Sequence, residues 1–289
     1  MEVEKRNKGV ITVSMSYQVG WEQWFLLSSD RHHDNPHTKW DLEKKHLEEA
    51  IKKDAYILDF GDLFCAMQGK YDRRSSKDDL RQIHKKGSYL DKLVETASDF
   101  YAPYSKRWIC MGMGNHETAI LSHHETNLTE RLVSQLNITT NSNIINGGYS
   151  GWIQFKFRRS NGGGFSYNMY YHHGHGGGGV VTKGVIQTNR RAVYLPDANF
   201  VVSGHIHEEW TVTQQRLRLT QKGRQYLDEQ IHICLPTYKE EFLPSQEYGF
   251  HTERGRPPKP LGAKWLRFYY DVRSTDGTKP IKYQIIRAK

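Results

Sequence analysis

Apolar positions in this chain fall into two patterns. Trp24-Phe-Leu-Leu-Ser-Ser29, Tyr56-Ile-Leu-Asp-Phe60-Gly61, Trp108-Ile-Cys-Met-Gly-Met-Gly114 and Phe200-Val-Val-Ser-Gly204 are short, apolar-rich and closed by a small residue, as expected of buried strands that stop at a turn. Between them the spacing is helical. Trp40, Leu42, Leu47, Ala50 and Ile51 stand among charges over Thr38 to Lys53; Leu80, Ile83, Leu90, Leu93 and Val94 do so over Asp78 to Ser98; and Asn127 to Leu136 reads as a third helix. After residue 148 strands take over. Trp152 to Phe157, a turn at Asn161 to Gly164 and Phe165 to Tyr171 predict a hairpin, and Thr211 to Leu219, Gln230 to Leu235, Lys264 to Val272 and Lys282 to Ile286 predict further strands. The pattern predicts an α/β fold in one domain over residues 1–289, with 208–289 completing a second sheet. A basic Pro/Gly loop at 244–262 is too long for a plain hairpin connection and reads either as a substrate-contacting loop or as a mobile one.

Polar residues stand just past each apolar run. Asp30-Arg31-His32, Gly61-Asp62, Gly114-Asn115-His116-Glu117 and Gly204-His205-Ile206-His207 follow the four runs, and His172-His173-Gly174-His175 follows the hairpin. Ligand-type residues beyond the carboxyl ends of strands are what an α/β sheet offers to a binding crevice. A single histidine here would more simply be a surface or hydrogen-bonded residue. Repetition after strand upon strand is not explained that way.

In this order the five segments resemble the calcineurin-like metallophosphoesterase superfamily, whose pattern runs D-x-H, G-D, G-N-H-[DE], H, G-H-x-H; the match extends from about Asp30 to His207. The resemblance implies a two-sheet α/β sandwich with flanking helices and a binuclear metal centre. One divalent ion would be held by Asp30, His32, Asp62 and His207, and the other by Asp62, Asn115, His173 and His205, with Asp62 bridging. Such N/O ligand sets suit Mn²⁺, the first expectation, and also Fe, Zn²⁺ or Ni²⁺. Two ions about 3.5–4 Å apart activate water while polarising a phosphoryl oxygen. Two carboxylates against two dications leave a positive centre that attracts phosphate. His116 is implied as the group that assists the leaving oxygen, with Glu117 either its orienting partner or a helix N-terminal acid. In the fourth segment His173 and His175 share a face at strand spacing; relatives with His-Gly-His there use the first, which favours His173 as ligand and leaves His175 toward substrate. The glycines at 176–179 read as a turn or as a close approach to phosphate. Cys65 departs from the family, many of whose members have an acid or asparagine there.

Charge changes the picture of the substrate. Residues 1–150 hold 20 Lys and Arg against 21 Asp and Glu, whereas 151–289 hold 21 against 11, so the net +9 resides in the second half. Arg216 and Arg218, like Lys156 and Arg158, have strand spacing and would share a face suited to a polyanion or simply to solvent. The partner expected is therefore a phosphoester substrate, nucleic acid or a nucleotide. A phosphomonoesterase acting on phosphoprotein or a small ester is the alternative, and a non-catalytic scaffold of the same fold is disfavoured by the intact ligand set. With mean hydropathy −0.76 and no apolar run of membrane-spanning length, no membrane association is expected. The charged opening residues show no signal peptide, and three cysteines without a C-x-x-C pair suit a reducing compartment, so the expected location is cytoplasmic.

Overall fold

The computed structural model describes residues 1–67, 80–85, 87–159, 164–179, 181–242, 255–271 and 280–289. A hairpin opens the chain: charged β1 (Glu2–Asn7) pairs antiparallel with β2 (Val10–Tyr17). Ile11, Val13, Met15 and Tyr17 of β2 are buried at every second position, the period of a strand with one face in a core. The chain continues through β3 (Glu22–Ser28), α1 (Trp40–Lys52), β4 (Tyr56–Asp59), α2 (Tyr89–Tyr101), β5 (Trp108–Gly112), α3 (Asn115–His124), α4 (Leu128–Thr140) and β6 (Ile145–Gly148). The hairpin β7 (Ser150–Arg159) and β8 (Gly164–His172) follows, then α5 (Gln187–Tyr194), β9 (Phe200–Ser203), β10 (Trp210–Leu219), β11 (Gln225–Cys234), β12 (Lys264–Tyr270) and β13 (Ile281–Arg287).

Two sheets face each other. One has seven strands in the order β1-β2-β7-β8-β9-β11-β10, the other six in the order β13-β12-β3-β4-β5-β6. Phe25 and Leu27 of β3 point between the sheets, into a core shared with Phe155, Phe157, Phe200 and Phe268, while Leu26 points outward to Leu47 of α1, Leu93 of α2 and Leu132 of α4. The layers are thus helices, six strands and seven strands, the two-sheet α/β sandwich that the resemblance implies.

Several expectations need correction. The C-terminal strands do not all complete the second sheet: β10 and β11 extend the seven-stranded sheet, but β12 pairs antiparallel with β3 and carries β13 at the edge of the other. Alternating side chains mark a strand but not its neighbour, so the split was invisible in hydropathy. The second helix begins at Tyr89, after a 3₁₀ turn at Gln82–His84; residues 78 and 79 of its expected start lie outside the described residues, as do 161–163 of the hairpin turn, 244–254 of the basic loop and residue 272 at the end of the third predicted C-terminal strand. Helices α3 and α5 were not expected, because each is short and largely polar.

Candidate metal centre

Strands β3, β4 and β5 are parallel neighbours, so their carboxyl ends lie on one side of the six-stranded sheet and deliver Asp30, Asp62 and Asn115 together. In the seven-stranded sheet β8 and β9 are also parallel, and their ends deliver His173, His205 and His207. The centre therefore lies where the two sheets meet. Backbone bonds tie neighbouring ligand loops within each sheet: Asp30 N–H donates to Gly61 O (2.9 Å), His32 N–H to Asp62 O (3.0 Å) and Gly204 N–H to His173 O (2.8 Å). His205 N–H reaches across to Asp30 Oδ2 (2.9 Å).

Two glycines make this approach possible. A Cβ on Gly114 would stand 2.0 Å from Asp62 Oδ1, and one on Gly204 2.1 Å from Ser29 Oγ and 2.3 Å from Asp30 Oδ2. Five of the expected ligands, Asp30, His32, Asp62, His205 and His207, have φ between +46° and +72°, a region that L-residues enter at a cost of order 1–3 kcal/mol each and that clusters at functional sites.

The side chains form two groups of potential ligands. Asp30, His32 and His207 present ligand atoms within 4.8 Å of one another, as do Asp62, His173 and His205. In the first, His32 Nε2 lies 3.2 Å from His207 Nε2, which is 3.3 Å from Asp30 Oδ1. In the second, His173 Nε2 lies 3.1 Å from Asp62 Oδ2 and 3.2 Å from Asn115 Oδ1, and His205 Nδ1 lies 2.6 Å from that same oxygen. Two imidazole nitrogens aimed at each other, and carboxylates aimed at imidazoles, suit a divalent ion with N and O ligands. Buried His32 Nδ1 has no hydrogen-bond partner among the described residues. Asp30, His32 and His207 thus stand apart from Asp62, His173 and His205; of the fourth segment's histidines His173 is the one in a group, whereas His172 Nδ1 accepts from Gly174 N–H and His175 is exposed.

Protonation follows the same geometry. Burial disfavours charge on His173 and His207, but Asp62 outweighs it at His173 and raises that ring to about 10, while Asp30 and Glu241 raise His207 to about 9. Burial likewise opposes ionisation of Asp62 and is outweighed by the rings of His173 and His116, which hold it well below the usual carboxylate range. His32 goes the other way, lowered by burial and by neighbouring His116 and His207.

His116 and Glu117 have separate surroundings. His116 Nδ1 lies 2.5 Å from the carbonyl oxygen of Cys65 and so donates to it, which leaves Nε2 toward the centre, 3.7 Å from Asp62 Oδ2. The Glu117 carboxylate instead accepts N–H groups from Gly114 (2.7 Å), Phe64 (2.8 Å) and Asp62 (3.2 Å). It is the first-turn acid of α3, clamping two ligand loops, and Cys65 holds the position expected of an orienting partner to His116. Burial and the Asp62 charge push Glu117 up to about 8.

Further residues were missed in the sequence. Arg31, fully buried between two candidate ligands, donates to Glu43 Oε1 (2.6 Å), Asp59 Oδ2 (2.9 Å) and Ser28 Oγ (2.8 Å), and its guanidinium lies over the Trp108 ring at 4.8 Å. Asp59 in the middle of an apolar run was the available signal, since a buried carboxylate needs a partner. Glu241 Oε1, 3.3 Å from His207 Nδ1, orients that imidazole from behind as carboxylates do at metal sites; nothing in its sequence context announced it. Arg216 and Arg218 are a correction. Arg216 donates to Asp228 and to the carbonyls of Pro196 and Ala198, and Arg218 donates to Pro196 O. Strand β10 starts beside the carboxyl end of β11, and at about 3.3 Å per residue both arginines lie roughly 20–25 Å along it from the metal side.

No helix among the described residues is long and apolar enough to cross a membrane. No protein-family model and no curated protein matches the sequence. Similar solved structures include Vps29 of Entamoeba histolytica complexed with Zn²⁺ (10% identity, covering 92% of this chain and 99% of that one, TM-score 0.37) and GAP50 of Plasmodium, the anchor in the inner membrane complex (10%, 93% and 89%, 0.45). The calcineurin-like phosphoesterase YfkN of Bacillus subtilis is another (14%, 93% and 91%, 0.30). At these TM-scores the superpositions are loose, and the reading of the site rests on its own residues.

Proposed function

We propose that this chain is a metal-dependent phosphoester hydrolase of the calcineurin-like metallophosphoesterase type that its motifs resemble. The observation that carries this reading is the pair of ligand groups, Asp30/His32/His207 and Asp62/His173/His205, meeting at one seam with Asn115 against the second. Divalent ions bound there would supply an activated water and draw charge from the phosphoryl oxygens.

The protein's own groups do the rest. Asp62, in the second group, lies within reach of His173 and His116 and would be the carboxylate shared by two ions, as the resemblance implies. Glu241 fixes the His207 ring so that Nε2 faces Asp30. With Nδ1–H held by the Cys65 carbonyl, His116 would deliver a proton from Nε2 to the leaving oxygen. Replacing His116 with asparagine should leave metal content intact and lower kcat by roughly 10²–10⁴-fold. The loss should be larger for an alkyl ester than for a p-nitrophenyl ester; equal losses would count against proton donation.

For substrate, a nucleotide or small phosphodiester fits better than a long strand guided by Arg216 and Arg218, because those arginines are occupied and far from the centre. The lysines beside it are paired too, Lys259 with Glu208 and Lys239 with Glu241. Assay with Mn²⁺ of bis-p-nitrophenyl phosphate, p-nitrophenyl phosphate, cyclic and linear nucleotides, and single- and double-stranded DNA and RNA tests the reading. Diester turnover that exceeds monoester turnover is expected. Activity on none of these, with metal bound, would reject the hydrolase.

A further inference from the structure

His116 is held in the centre by a backbone carbonyl, and that carbonyl is itself held. His116 Nδ1 lies 2.5 Å from Cys65 O. Residues 62–67, which carry that oxygen, belong to no helix or strand, so no hydrogen-bond ladder fixes how the peptide between Cys65 and Ala66 is turned. A trans peptide is planar, and its C=O and N–H point in opposite directions. The N–H of this one, on Ala66, donates to Asp34 Oδ2 (2.9 Å), and the preceding Cys65 N–H donates to Asp34 Oδ1 (2.5 Å). With both donors on one carboxylate the plane is set, and the carbonyl is left facing His116.

The backbone would not choose this orientation unaided. Ala66 has φ of +46°, a left-handed conformation that a residue with a Cβ adopts only at a cost. Turning the peptide over would return φ to negative values and swing the carbonyl away from the ring. Asp34 is placed to prevent this. It is 4% exposed, Tyr89 Oη donates to its Oδ2 (3.4 Å), and its neighbours are pinned, His33 N–H to Leu63 O (2.8 Å) and Asn35 N–H to His32 O (2.8 Å).

We infer that Asp34 is the positioning residue for the proton donor: through the Cys65–Ala66 peptide it keeps Nδ1–H of His116 on the carbonyl and Nε2 toward the leaving oxygen. This rests on the role of His116 proposed above. As the bond from phosphorus to the leaving oxygen breaks, the Nε2 proton passes to that oxygen and the ring keeps its Nδ1 proton. Asp34 neither gains nor loses one.

Asp34→Asn preserves side-chain size but turns one oxygen into an NH₂ that cannot accept, so one of the two peptide N–H groups loses its bond. With Mn²⁺ saturating, metal content should match wild type, while kcat falls about 10–100-fold on an alkyl phosphodiester and less on a p-nitrophenyl diester. In the His116→Asn background the same replacement should cost nothing further, because the two residues act as one unit. Asp34→Ser, shorter but still an acceptor, should behave alike. Nitrogen-15 spectra of zinc-loaded protein, at a pH where the ring is neutral, read the ring itself: His116 should carry its proton on Nδ1 in wild type and lose that preference in the Asp34 variants. Equal losses on the two esters, a loss that persists without His116, or a wild-type ring protonated on Nε2 would overturn the inference and leave the metal centre standing. If His116→Asn itself costs both esters equally, proton donation falls, and the spectra alone decide whether Asp34 holds the ring.

Discussion

Arg31 shows how one side chain controls two neighbours. It stands between Asp30 and His32, its charge is answered by Glu43 and Asp59, and all three are fully buried. Burial pushes Asp59 up to about 6 even against the guanidinium, so without Arg31 that carboxyl has no counter-charge. Arg31→Ala should cost about 3–5 kcal/mol, the usual penalty for removing one partner of a buried pair. Urea unfolding measures it, and a loss under about 1 kcal/mol would mean that the carboxyls neutralise themselves at little cost. Glu117 makes a similar point with three backbone donors. In Glu117→Gln one carboxylate oxygen becomes an NH₂ that cannot accept, so at least one N–H of Gly114, Asp62 or Phe64 loses its bond, at about 1–3 kcal/mol. A thermal melt unchanged from wild type would exclude that role.

At the scale of elements, ligands are delivered by strand ends and spaced by glycine. Gly204→Ala places a methyl carbon on the Asp30 carboxylate and on Ser29, and overpacking of this kind costs typically 1–3 kcal/mol. Metal content should fall before the fold does, so mass-spectrometric metal analysis beside circular dichroism is the check; full metal occupancy in Gly204→Ala would show that the strand end can shift. This arrangement was legible because the strands β3, β4, β5 and β9 are apolar runs, and a polar motif after each stands out. The second-half charge misled, since a run such as Arg216-Leu-Arg218 states its spacing but not that Asp228 on the neighbouring strand awaits it. Glu43, Glu241 and Asp34 were equally hidden, because each acts across a long sequence interval on a backbone or ring that only the folded chain brings near. His173 was favoured over its neighbours by resemblance alone until β8 had an end, at His172.

For the molecule as a whole, protons and metal ions compete for the same seam. His173 and His207 have pKa values raised from 6.5 to about 10 and about 9. A raised pKa contributes stability that is complete below 6.5 and disappears as pH climbs through the raised value. Metal-free protein should therefore melt at progressively lower temperature on the alkaline side, up to about pH 9–10. Bound metal displaces those protons, so the gain in melting temperature on adding metal should widen over the same interval; a gain that narrows would contradict the assignment of these rings. His32 and His205, whose pKa values are lowered, act with the opposite sign and weaken the native state below 6.5. The position of the centre between the sheets also fixes when it can come into being. Its ligands run from Asp30 to His207 along the chain and come from both sheets, so no binding site exists until β9 has joined β8 and the sheets have met. If the sheets meet beyond the barrier to folding, metal is captured late. Refolding should proceed at one rate with or without divalent ions, while unfolding slows in their presence, because interactions absent from the transition state act on the unfolding limb alone. Stopped-flow fluorescence would separate the two, and a refolding rate that rises with metal concentration would place the centre early instead. If capture is late, scarcity of metal limits how much of the protein works without limiting how much of it folds.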